Sequence, residues 1–374
     1  MKILQLVYTT GLSGAEKYVI DIIPGLKEHN IECHLICVGP KYRTKELNEY
    51  CDLAKQKGIT TTLIITRFRI EYIGIAKFIN QYVNKNKISI IHSHLFNADI
   101  LAVLTKKFFN KKIFLLSTKH GYSEDYLLKY KNDPGKTPHD FYYYATRFII
   151  KKIDRNITVS KSVSDLYYNI KLTQERMPYI HHGVSIPQSD AKQIPDINGH
   201  PKLLVVGRLE EIKGHSLLIN ALPKVIKKYP DLKVLFLGNG SLRNKLINQA
   251  SELSIINNVE FLGFQNPANY SSMCAVMVIP SLYEAFGLVY IESFALKMPV
   301  IAFDVAAANE IIQNNETGFL VNKDDTAELA EKIIYVLDNP TIANEIVENA
   351  HNIFLSYYNM DRLLSELANL YRSI

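Results

Sequence analysis

The stretch PSLYEAFGLVYIESFALKMPVIAFD, residues 280–304, contains the turn, helix and strand pattern that decides the fold. An apolar run ends where the stretch begins, and a turn with Glu284 follows. Gly287 then precedes a helical pattern over residues 288–296, and a second apolar run occupies residues 300–303. Short apolar runs on either side of a helix are typical of parallel strands joined by a crossover. The stretch therefore predicts an α/β fold.

The same alternation extends along the rest of the chain. Other strands are predicted at residues 3–8, 31–38, 88–92, 113–117, 156–159, 203–206, 233–237, 259–262 and 276–279. Helices are predicted at residues 14–27, 70–84, 98–109, 214–228 and 241–252, and through the tail from Thr326. Strands that alternate with helices predict parallel sheets covered on both faces.

The alternation lapses at residues 185–201, SIPQSDAKQIPDINGHP, which hold three prolines and a glycine. Such a segment is typical of a domain boundary. We therefore expect two Rossmann-like doubly wound domains, residues 1–187 and 188–360, with a helix at residues 361–374 that crosses back to the first. Ligands of open parallel sheets bind beyond the carboxyl ends of the strands. Two such edges facing each other across a cleft would form one ligand site.

The charge of the chain limits its partners. Its 374 residues carry a formal net charge of +6. This mild excess fits an anionic small substrate or an anionic membrane surface. A nucleic-acid partner is not expected, since the sequence contains no arginine-rich arm and no zinc-finger spacing.

The cysteines and the apolar runs indicate the compartment. Cys33, Cys37, Cys51 and Cys274 form no CxxC pair, and we expect them to be reduced core thiols. The apolar run at residues 3–8 is too short for a secretory signal. No apolar window approaches the ~20 residues of a membrane span. We therefore expect a cytoplasmic protein.

Two glutamates and a helix start mark the opening stretch as a candidate ligand site. Backbone N–H groups near the helix that follows Gly287 can hold phosphate oxygens, because a helix N-terminus has unpaired donors and a positive dipole end. Glu292, in the first turn of that helix, can accept hydrogen bonds from ribose hydroxyls. The alternative is that Glu292 only complements the helix dipole and that Glu284 is a solvated turn residue.

A second motif, VVGRLEEIKGH, occupies residues 205–215. Arg208 and Lys213 leave the end of a predicted strand together. An arginine forks onto phosphate oxygens and a lysine adds a point charge, so both can stabilise a departing diphosphate. The alternative is a solvated basic loop.

A third motif, TTGLSGAEKYV, occupies residues 9–19, where Gly11 and Gly14 bracket a loop between the first strand and the first helix. The loop lacks the GxGxxG pattern, so a Rossmann oxidoreductase is poorly supported. The alternative to a ligand loop is a tight turn with a helix cap.

Histidines follow the next strands. His92 and His94 lie on the same side of a strand by their spacing, which is how a metal site can begin, but no third ligand is identifiable in the sequence. His120 follows the strand at residues 113–117. A single histidine of this kind is more often structural.

The motifs together resemble the large retaining glycosyltransferase family 4, whose members have the GT-B fold. The resemblance is carried by E-A-F-G-L-V-Y-I-E around Glu284, by G-R-L and K-G around Arg208 and Lys213, and by the first glycine loop. It is most specific across residues 205–321 and weakens over residues 123–153, where we expect acceptor specificity to reside.

The resemblance implies roles for individual residues. Glu284 and His120 would contact the transferred sugar, Glu292 the nucleotide ribose, and Arg208 and Lys213 the diphosphate. Further donor contacts are implied for Ser13, Gly14, Gly238, Gly240, Phe286, Gly287 and Leu288. The chain departs from the family pattern at Lys297 and at residues 306–308, where glycines are usual, and at His182, whose role stays open.

These residues predict a retaining, metal-independent glycosyltransferase. We expect a nucleotide-sugar donor, with UDP favoured over GDP, and no metal or other cofactor, since the sequence contains no D-x-D. The alternatives are a nucleotide-sugar 2-epimerase of the same fold and a non-catalytic sugar-nucleotide-binding subunit.

Basic and aromatic residues predict a membrane-facing acceptor side. The segment HDFYYYATRFIIKKIDR, residues 139–155, predicts either an amphipathic helix on an anionic membrane or a helix packed on its domain. Residues 105–112 add a second basic and aromatic patch. We therefore expect a lipid-linked or cell-envelope glycan as the acceptor, of the lipopolysaccharide, O-antigen or capsule type, and peripheral contact at the inner face of the cytoplasmic membrane.

Overall fold

The computed structural model describes residues 1–68, 71–123, 126–127, 137–185 and 200–374, which form two compact α/β units. Unit 1 comprises Met1–His182 and Met360–Ile374, and unit 2 comprises Gly183–Asn359. The units divide at His182 rather than at residue 187, because Val184 already hydrogen-bonds within unit 2, where its N–H donates to the Tyr358 carbonyl at 3.0 Å. Most of the predicted boundary segment lies outside the described residues.

Unit 1 contains a parallel sheet in the order β3-β2-β1-β4-β5-β6. Its strands are β1 (Lys2–Tyr8), β2 (Glu32–Pro40), β3 (Thr60–Thr66), β4 (Ile90–His94), β5 (Phe114–Lys119) and β6 (Arg155–Thr158). Its helices up to residue 182 are α1 (Gly14–Leu26), α2 (Thr44–Gln56), α3 (Tyr72–Asn86), α4 (Phe96–Phe108), α5 (Phe141–Ile150) and α6 (Lys161–Asn169).

Unit 2 contains a parallel sheet in the order β12-β11-β10-β7-β8-β9. Its strands are β7 (Lys202–Val206), β8 (Lys233–Leu237), β9 (Val259–Gly263), β10 (Val276–Ile279), β11 (Val300–Phe303) and β12 (Phe319–Val321). Its helices are α7 (His215–Lys228), α8 (Arg243–Glu252), α9 (Ala268–Ser271), α10 (Leu288–Ala295), α11 (Ala306–Ile311), α12 (Thr326–Asp338) and α13 (Pro340–Ile353).

The last helix, α14 (Met360–Arg372), belongs to unit 1. Its apolar face is buried in the core of that unit through Leu363, Leu364, Leu367, Ala368 and Tyr371. It approaches α1 closely, since a Cβ built on Gly25 would lie 2.3 Å from Leu364 Cδ1.

Burial explains why the strands are apolar runs. In β1 the side chains of Ile3, Leu4, Leu6 and Val7 are all buried, because helices cover both faces of a parallel sheet. Gln5 is the buried polar exception in this strand. The four cysteines are buried and unbridged, which confirms the predicted core thiols.

Several elements differ from the sequence prediction. No counterpart was predicted for helices α2, α6, α9 and α11 or for strands β3 and β12. Strand β3 is half-exposed and contains four threonines, so its apolar signal in the sequence is weak. The predicted helix at residues 139–155 is shorter, because α5 ends at Ile150 and the chain enters β6 at Arg155. Lys151 and Lys152 therefore lie in a turn.

Candidate functional site

The strand order of each sheet reverses direction at one point. In unit 2 the chain leaves β7 toward β8 on one side, and β10 pairs with β7 on the other. In unit 1 the corresponding reversal lies between β1 and β4. Loops at the carboxyl ends of strands that flank such a reversal diverge and leave a crevice for ligands. The predicted site residues of unit 2 lie in the loops that follow β7, β8 and β10 and in helix α10.

A partly buried ion pair joins the loops after β7 and β10. Lys213 Nζ lies 2.7 Å from Glu284 Oε1, and the two side chains are 17% and 11% exposed. Ser281 Oγ donates to the same carboxylate oxygen at 2.8 Å. An ion pair that loses hydration is a weak source of stability. Ionisable groups held together in this way are candidates for a functional site. Lys213 and Glu284 were predicted separately from sequence, and the fold brings them together.

The same two loops also touch through their backbones. The Leu282 N–H donates to the Ile212 carbonyl at 2.9 Å. Gly214 has φ +63°, and a Cβ built there would lie 1.9 Å from the Pro280 carbonyl oxygen. Only glycine fits this approach, so Gly214 is needed to place Lys213 beside Glu284.

Arg208 lies at the start of the β7–α7 loop. His215 Nε2 donates to the Arg208 carbonyl at 3.0 Å, which ties the first residue of α7 to this loop. Burial, and then the charge of Lys213, lower the pKa of His215 to about 4, although the hydrogen bond to the Arg208 carbonyl opposes this shift. His215 is therefore neutral at pH 7 and acts as a fixed hydrogen-bond donor.

The predicted Gly238 and Gly240 pack against the loop that carries Arg208. A Cβ on Gly238 would lie 1.9 Å from the Gly207 carbonyl oxygen, and one on Gly240 would lie 2.4 Å from the Leu209 carbonyl oxygen. Both glycines are therefore required by backbone packing, whatever ligand contacts they also make. Glu210 secures the same turn, since its carboxylate accepts from the Ser241 N–H at 2.8 Å and from Ser241 Oγ at 2.7 Å.

Gly287 and Leu288 mark the start of α10, as predicted from the sequence. Phe286 is buried, and its ring centroid lies 6.1 Å from that of Tyr358. Glu292 is half-buried and is the fifth residue of α10, so the expectation that it lies in the first turn is wrong. Interactions with the helix dipole fall off beyond the first turn, which weakens the dipole explanation for Glu292.

In unit 1, Ser13 and Gly14 lie at the start of α1, directly beyond β1. Glu16 is buried, and its carboxylate accepts from the Ser13 N–H at 3.2 Å and from the Ser13 hydroxyl. Both donors of Ser13 are therefore engaged by Glu16 in this conformation.

Four histidines cluster at the carboxyl edge of the unit 1 sheet. His92 and His94 project from β4 with ring centroids 4.3 Å apart. His94 Nδ1 lies 3.0 Å from Nε2 of the predicted His120. The ring of His182 lies 5.7 Å from that of His120 and 4.4 Å from that of Tyr18, which reaches the cluster from α1.

Burial keeps the cluster neutral. It lowers the pKa of His92 and of His120 to about 3, and the pKa values of His94 and His182 well below the ordinary range, with a smaller effect from neighbouring positive charge. Neutral rings can pair with one another, each as donor and acceptor. Within the described ranges, no three histidine, cysteine or acidic side chains converge on one point as metal ligands.

Sequence reasoning missed the polar residues that surround the histidines. Gln5 and Tyr371 hydrogen-bond at 2.9 Å although they are 366 positions apart in the chain. Beside His120, Lys119 Nζ pairs with Asp99 Oδ2 at 2.5 Å, and both side chains are buried. Besides the spacing of His92 and His94, a glutamine in the middle of an apolar strand was a local signal that pointed to this cluster.

Two protein families together match nearly the whole chain. Residues 12–187 match the family described as Glycosyltransferase Family 4, and residues 188–353 match the family described as Glycosyl transferases group 1.

Individual relatives and solved structures agree with the families. An uncharacterised glycosyltransferase of Methanocaldococcus jannaschii is 29% identical over 256 residues, a match that spans 64% of this chain and 64% of that protein. The N-acetylgalactosamine-N,N'-diacetylbacillosaminyl-diphospho-undecaprenol 4-alpha-N-acetylgalactosaminyltransferase of Campylobacter jejuni is 26% identical over 345 residues, 89% of each chain. Anabaena HepE in complex with UDP has the same fold, with a TM-score of 0.82 over 100% of both chains at 19% identity.

Proposed function

The chain belongs to glycosyltransferase family 4 and has the GT-B fold, and we propose that it transfers a sugar from a UDP-sugar to a lipid-linked glycan of the cell envelope. The observation that carries the proposal is the Lys213–Glu284 pair at the strand reversal of unit 2, in which Lys213 shares a loop with Arg208. This arrangement places positive charge that can bind a diphosphate beside a carboxylate that can bind a sugar.

Each residue of the unit 2 site has a proposed task. Arg208 and Lys213 hold the diphosphate, whose negative charge grows as the sugar departs. The N–H groups at the start of α10 add donors for the phosphate oxygens. Glu292 accepts from the ribose hydroxyls, and Glu284, already oriented by Lys213 and Ser281, accepts from hydroxyls of the sugar.

We propose that transfer retains the anomeric configuration by displacement on one face of the sugar. The acceptor oxygen bonds to the anomeric carbon on the face from which the phosphate leaves. Its proton passes to a phosphate oxygen, and the electron pair of the broken C–O bond stays with the nucleoside diphosphate. This route needs no carboxylate nucleophile, in contrast to the double displacement of most retaining glycosidases.

The proposed reaction needs no metal ion. The sequence lacks the D-x-D pair that many metal-dependent glycosyltransferases use, and Arg208 and Lys213 supply positive charge at the phosphate site instead. The choice of UDP is supported by the UDP bound to Anabaena HepE. The choice of a lipid-linked acceptor is supported by the diphospho-undecaprenol named as part of the Campylobacter jejuni enzyme's substrate.

An exposed surface of unit 1 supports contact with an anionic membrane. Phe141 is 82% exposed and Phe148 is 58% exposed on α5, and Lys152 Nζ lies 5.5 Å from the Phe148 ring centroid. The end of α4 adds Phe108, which is 54% exposed, and Lys107 over its ring at 5.2 Å. Aromatic rings with adjacent cations suit the interface of an anionic bilayer. Among the described residues, no helix has the length and hydropathy needed to cross a bilayer.

A thermal-shift series tests the donor. UDP and UDP-sugars should raise the melting temperature selectively over GDP and ADP, and should do so in EDTA. Arg208→Ala should lose the shift, whereas Lys224→Ala, which removes an exposed ion pair with Glu331, should keep it. Selective stabilisation by GDP would correct the base, and a strict need for Mg²⁺ or Mn²⁺ would overturn the metal-independent proposal.

Product analysis tests the reaction. Incubation with a UDP-sugar and a polyprenyl-diphosphate glycan should give an α-linked product, and Glu284→Gln should lower the rate by roughly 100-fold by removing charge stabilisation at the sugar. An altered sugar formed without acceptor would identify an epimerase instead. Unaltered nucleotide-sugar after long incubation with such acceptors would identify a non-catalytic subunit.

A further inference from the structure

A continuous hydrogen-bonded chain runs through unit 1 from α14 to His120. The Gln5 amide nitrogen lies 2.9 Å from the Tyr371 hydroxyl, and the Gln5 carbonyl oxygen lies 2.8 Å from His94 Nε2. His94 Nδ1 lies 3.0 Å from His120 Nε2. Gln5, His94 and Tyr371 are fully buried, whereas His120 is half-buried at the edge of the cluster.

The chemistry of Gln5 sets the direction of this chain. Its carbonyl oxygen can only accept, so His94 donates from Nε2. A neutral imidazole has one N–H, so His94 Nδ1 is an acceptor. His120 must then donate from Nε2, which leaves the lone pair on His120 Nδ1.

A second branch of hydrogen bonds is consistent with this orientation of Gln5. The Tyr371 hydroxyl accepts from the Gln5 amide, so its own proton is donated to His92 Nδ1 at 2.6 Å. His92 Nε2 then donates to Thr118 Oγ1 at 2.7 Å. The Gln5 amide also points at Cys33 Sγ, 3.8 Å away, which is a weak acceptor. A rotated amide would therefore have to reverse every hydrogen bond in both branches.

The hydrogen-bonded chain requires neutral imidazole rings, and burial keeps the rings neutral. Burial lowers the pKa of His92 and of His120 to about 3, and Lys119 adds to the effect by its charge. Each ring therefore keeps one N–H at neutral pH, and that N–H is directed by its neighbour.

We propose that Gln5 and Tyr371 are positioning residues that hold His120 as its Nε2–H tautomer and so present the Nδ1 lone pair as an acceptor for a substrate hydroxyl. The assignment of that hydroxyl to a sugar rests on the proposed function. The tautomer itself does not, because it follows from contacts within unit 1.

Nitrogen-15 NMR of the full chain with labelled histidine tests the tautomer directly. At pH 7 and without ligand, His120 should show a protonated, pyrrole-type Nε2 and an unprotonated, pyridine-type Nδ1. His120→Gln identifies its signals by their loss. A protonated Nδ1 in the unmodified protein would overturn the proposal.

Two variants test which residues set the tautomer of His120. Tyr371→Phe removes one hydroxyl, and Gln5→Leu cuts the chain, so both should increase the population of the Nδ1–H form of His120. Tyr143→Phe is the matched control, since it removes a buried hydroxyl that donates to the Lys171 carbonyl, outside the chain. An unchanged tautomer in folded Tyr371→Phe would show that Tyr371 does not position His120.

Kinetics separate this inference from the proposed function. Tyr371→Phe should lower kcat by roughly two- to tenfold with little change in the KM for the donor. The donor should still bind when His120 carries its proton on Nδ1, but the imidazole should then support the reaction less well. The thermal shift by UDP should persist, since the proposed nucleotide site lies in unit 2. If the tautomer changes and kcat does not, the hydrogen-bonded chain stands and the assignment of His120 to the substrate is wrong.

Discussion

Lys297 occupies a position where family members usually have glycine, and its backbone explains that preference. It follows the end of α10 with φ +51°, in the left-handed region that non-glycine residues rarely adopt. Its Nζ lies 2.9 and 3.1 Å from the two carboxylate oxygens of Glu348. Glu348 is 61% exposed, and an ion pair with an exposed partner contributes little to stability.

We expect Lys297→Gly to be more stable than Lys297→Ala by about 1 kcal/mol, because only glycine adopts this conformation without strain. Urea unfolding of the two variants measures the difference.

Lys224 provides the matched control, since it lies in the interior of α7 and forms an exposed ion pair with Glu331 of α12. There the order should reverse, with glycine less stable than alanine by about 1 kcal/mol, because glycine is unfavourable in a helix interior. The same order at both positions would contradict the backbone explanation.

At the scale of the element, α5 has two apolar faces. Tyr143, Ile149 and Ile150 are buried, while Phe141, Tyr144 and Phe148 are exposed at a spacing that places them along one side of the helix. Asp140 caps the helix by accepting from the Tyr143 N–H at 2.7 Å. A helix that packs only on its own unit needs one apolar face, so the second face fits a membrane surface.

We expect serine at Phe141, Tyr144 and Phe148 together to lower binding to phosphatidylglycerol vesicles by roughly 150-fold or more, because burial of each exposed ring contributes on the order of 1 kcal/mol or more. Replacing both Lys151 and Lys152 with glutamine should weaken vesicle binding roughly 30-fold, because each cation contributes about 1 kcal/mol to binding. Vesicle sedimentation at low and high salt measures both effects.

Phe264→Ser is the control for the aromatic variant, since Phe264 is 78% exposed in unit 2, outside this surface. Equal binding by the triple variant and by Phe264→Ser would argue against a membrane role for α5. Equal binding to phosphatidylcholine vesicles would remove the electrostatic part of the proposal.

At the scale of the whole molecule, buried neutral histidines couple stability to pH. The folded protein keeps His92 and His120 neutral down to a pKa of about 3 and His215 down to a pKa of about 4, against an ordinary value of 6.5. Below pH 6.5 the unfolded chain therefore binds more protons than the folded chain. The free energy of unfolding must then fall as the pH falls.

We expect the free energy of unfolding to decrease from pH 6.5 toward pH 4, with a contribution of about 1.4 kcal/mol per pH unit from a fully buried histidine such as His92. Urea unfolding across this range measures the slope.

His120→Gln should make the slope shallower by removing one histidine that resists protonation. His200→Gln is the control, since it removes an exposed histidine instead of a buried one. Identical slopes for all three proteins would contradict the assignment of acid sensitivity to the buried histidines.

Local patterns in the sequence were enough to predict the α/β class, most of the strands and helices, and the loops that hold Arg208, Lys213 and Glu284. These features depend on residue periodicity and on short motifs, which are readable over a few turns of helix or one strand. Helix boundaries were less certain, and Glu292 therefore lies further into α10 than its motif indicated.

Only the tertiary structure decided which distant residues meet. Lys213 and Glu284 pair across 71 positions because β10 lies beside β7, an order that no local pattern records. The hydrogen bond between Gln5 and Tyr371 spans 366 positions and depends on α14 packing into unit 1. Such contacts arise from packing of elements far apart in the chain, so periodicity and motifs carry no signal for them.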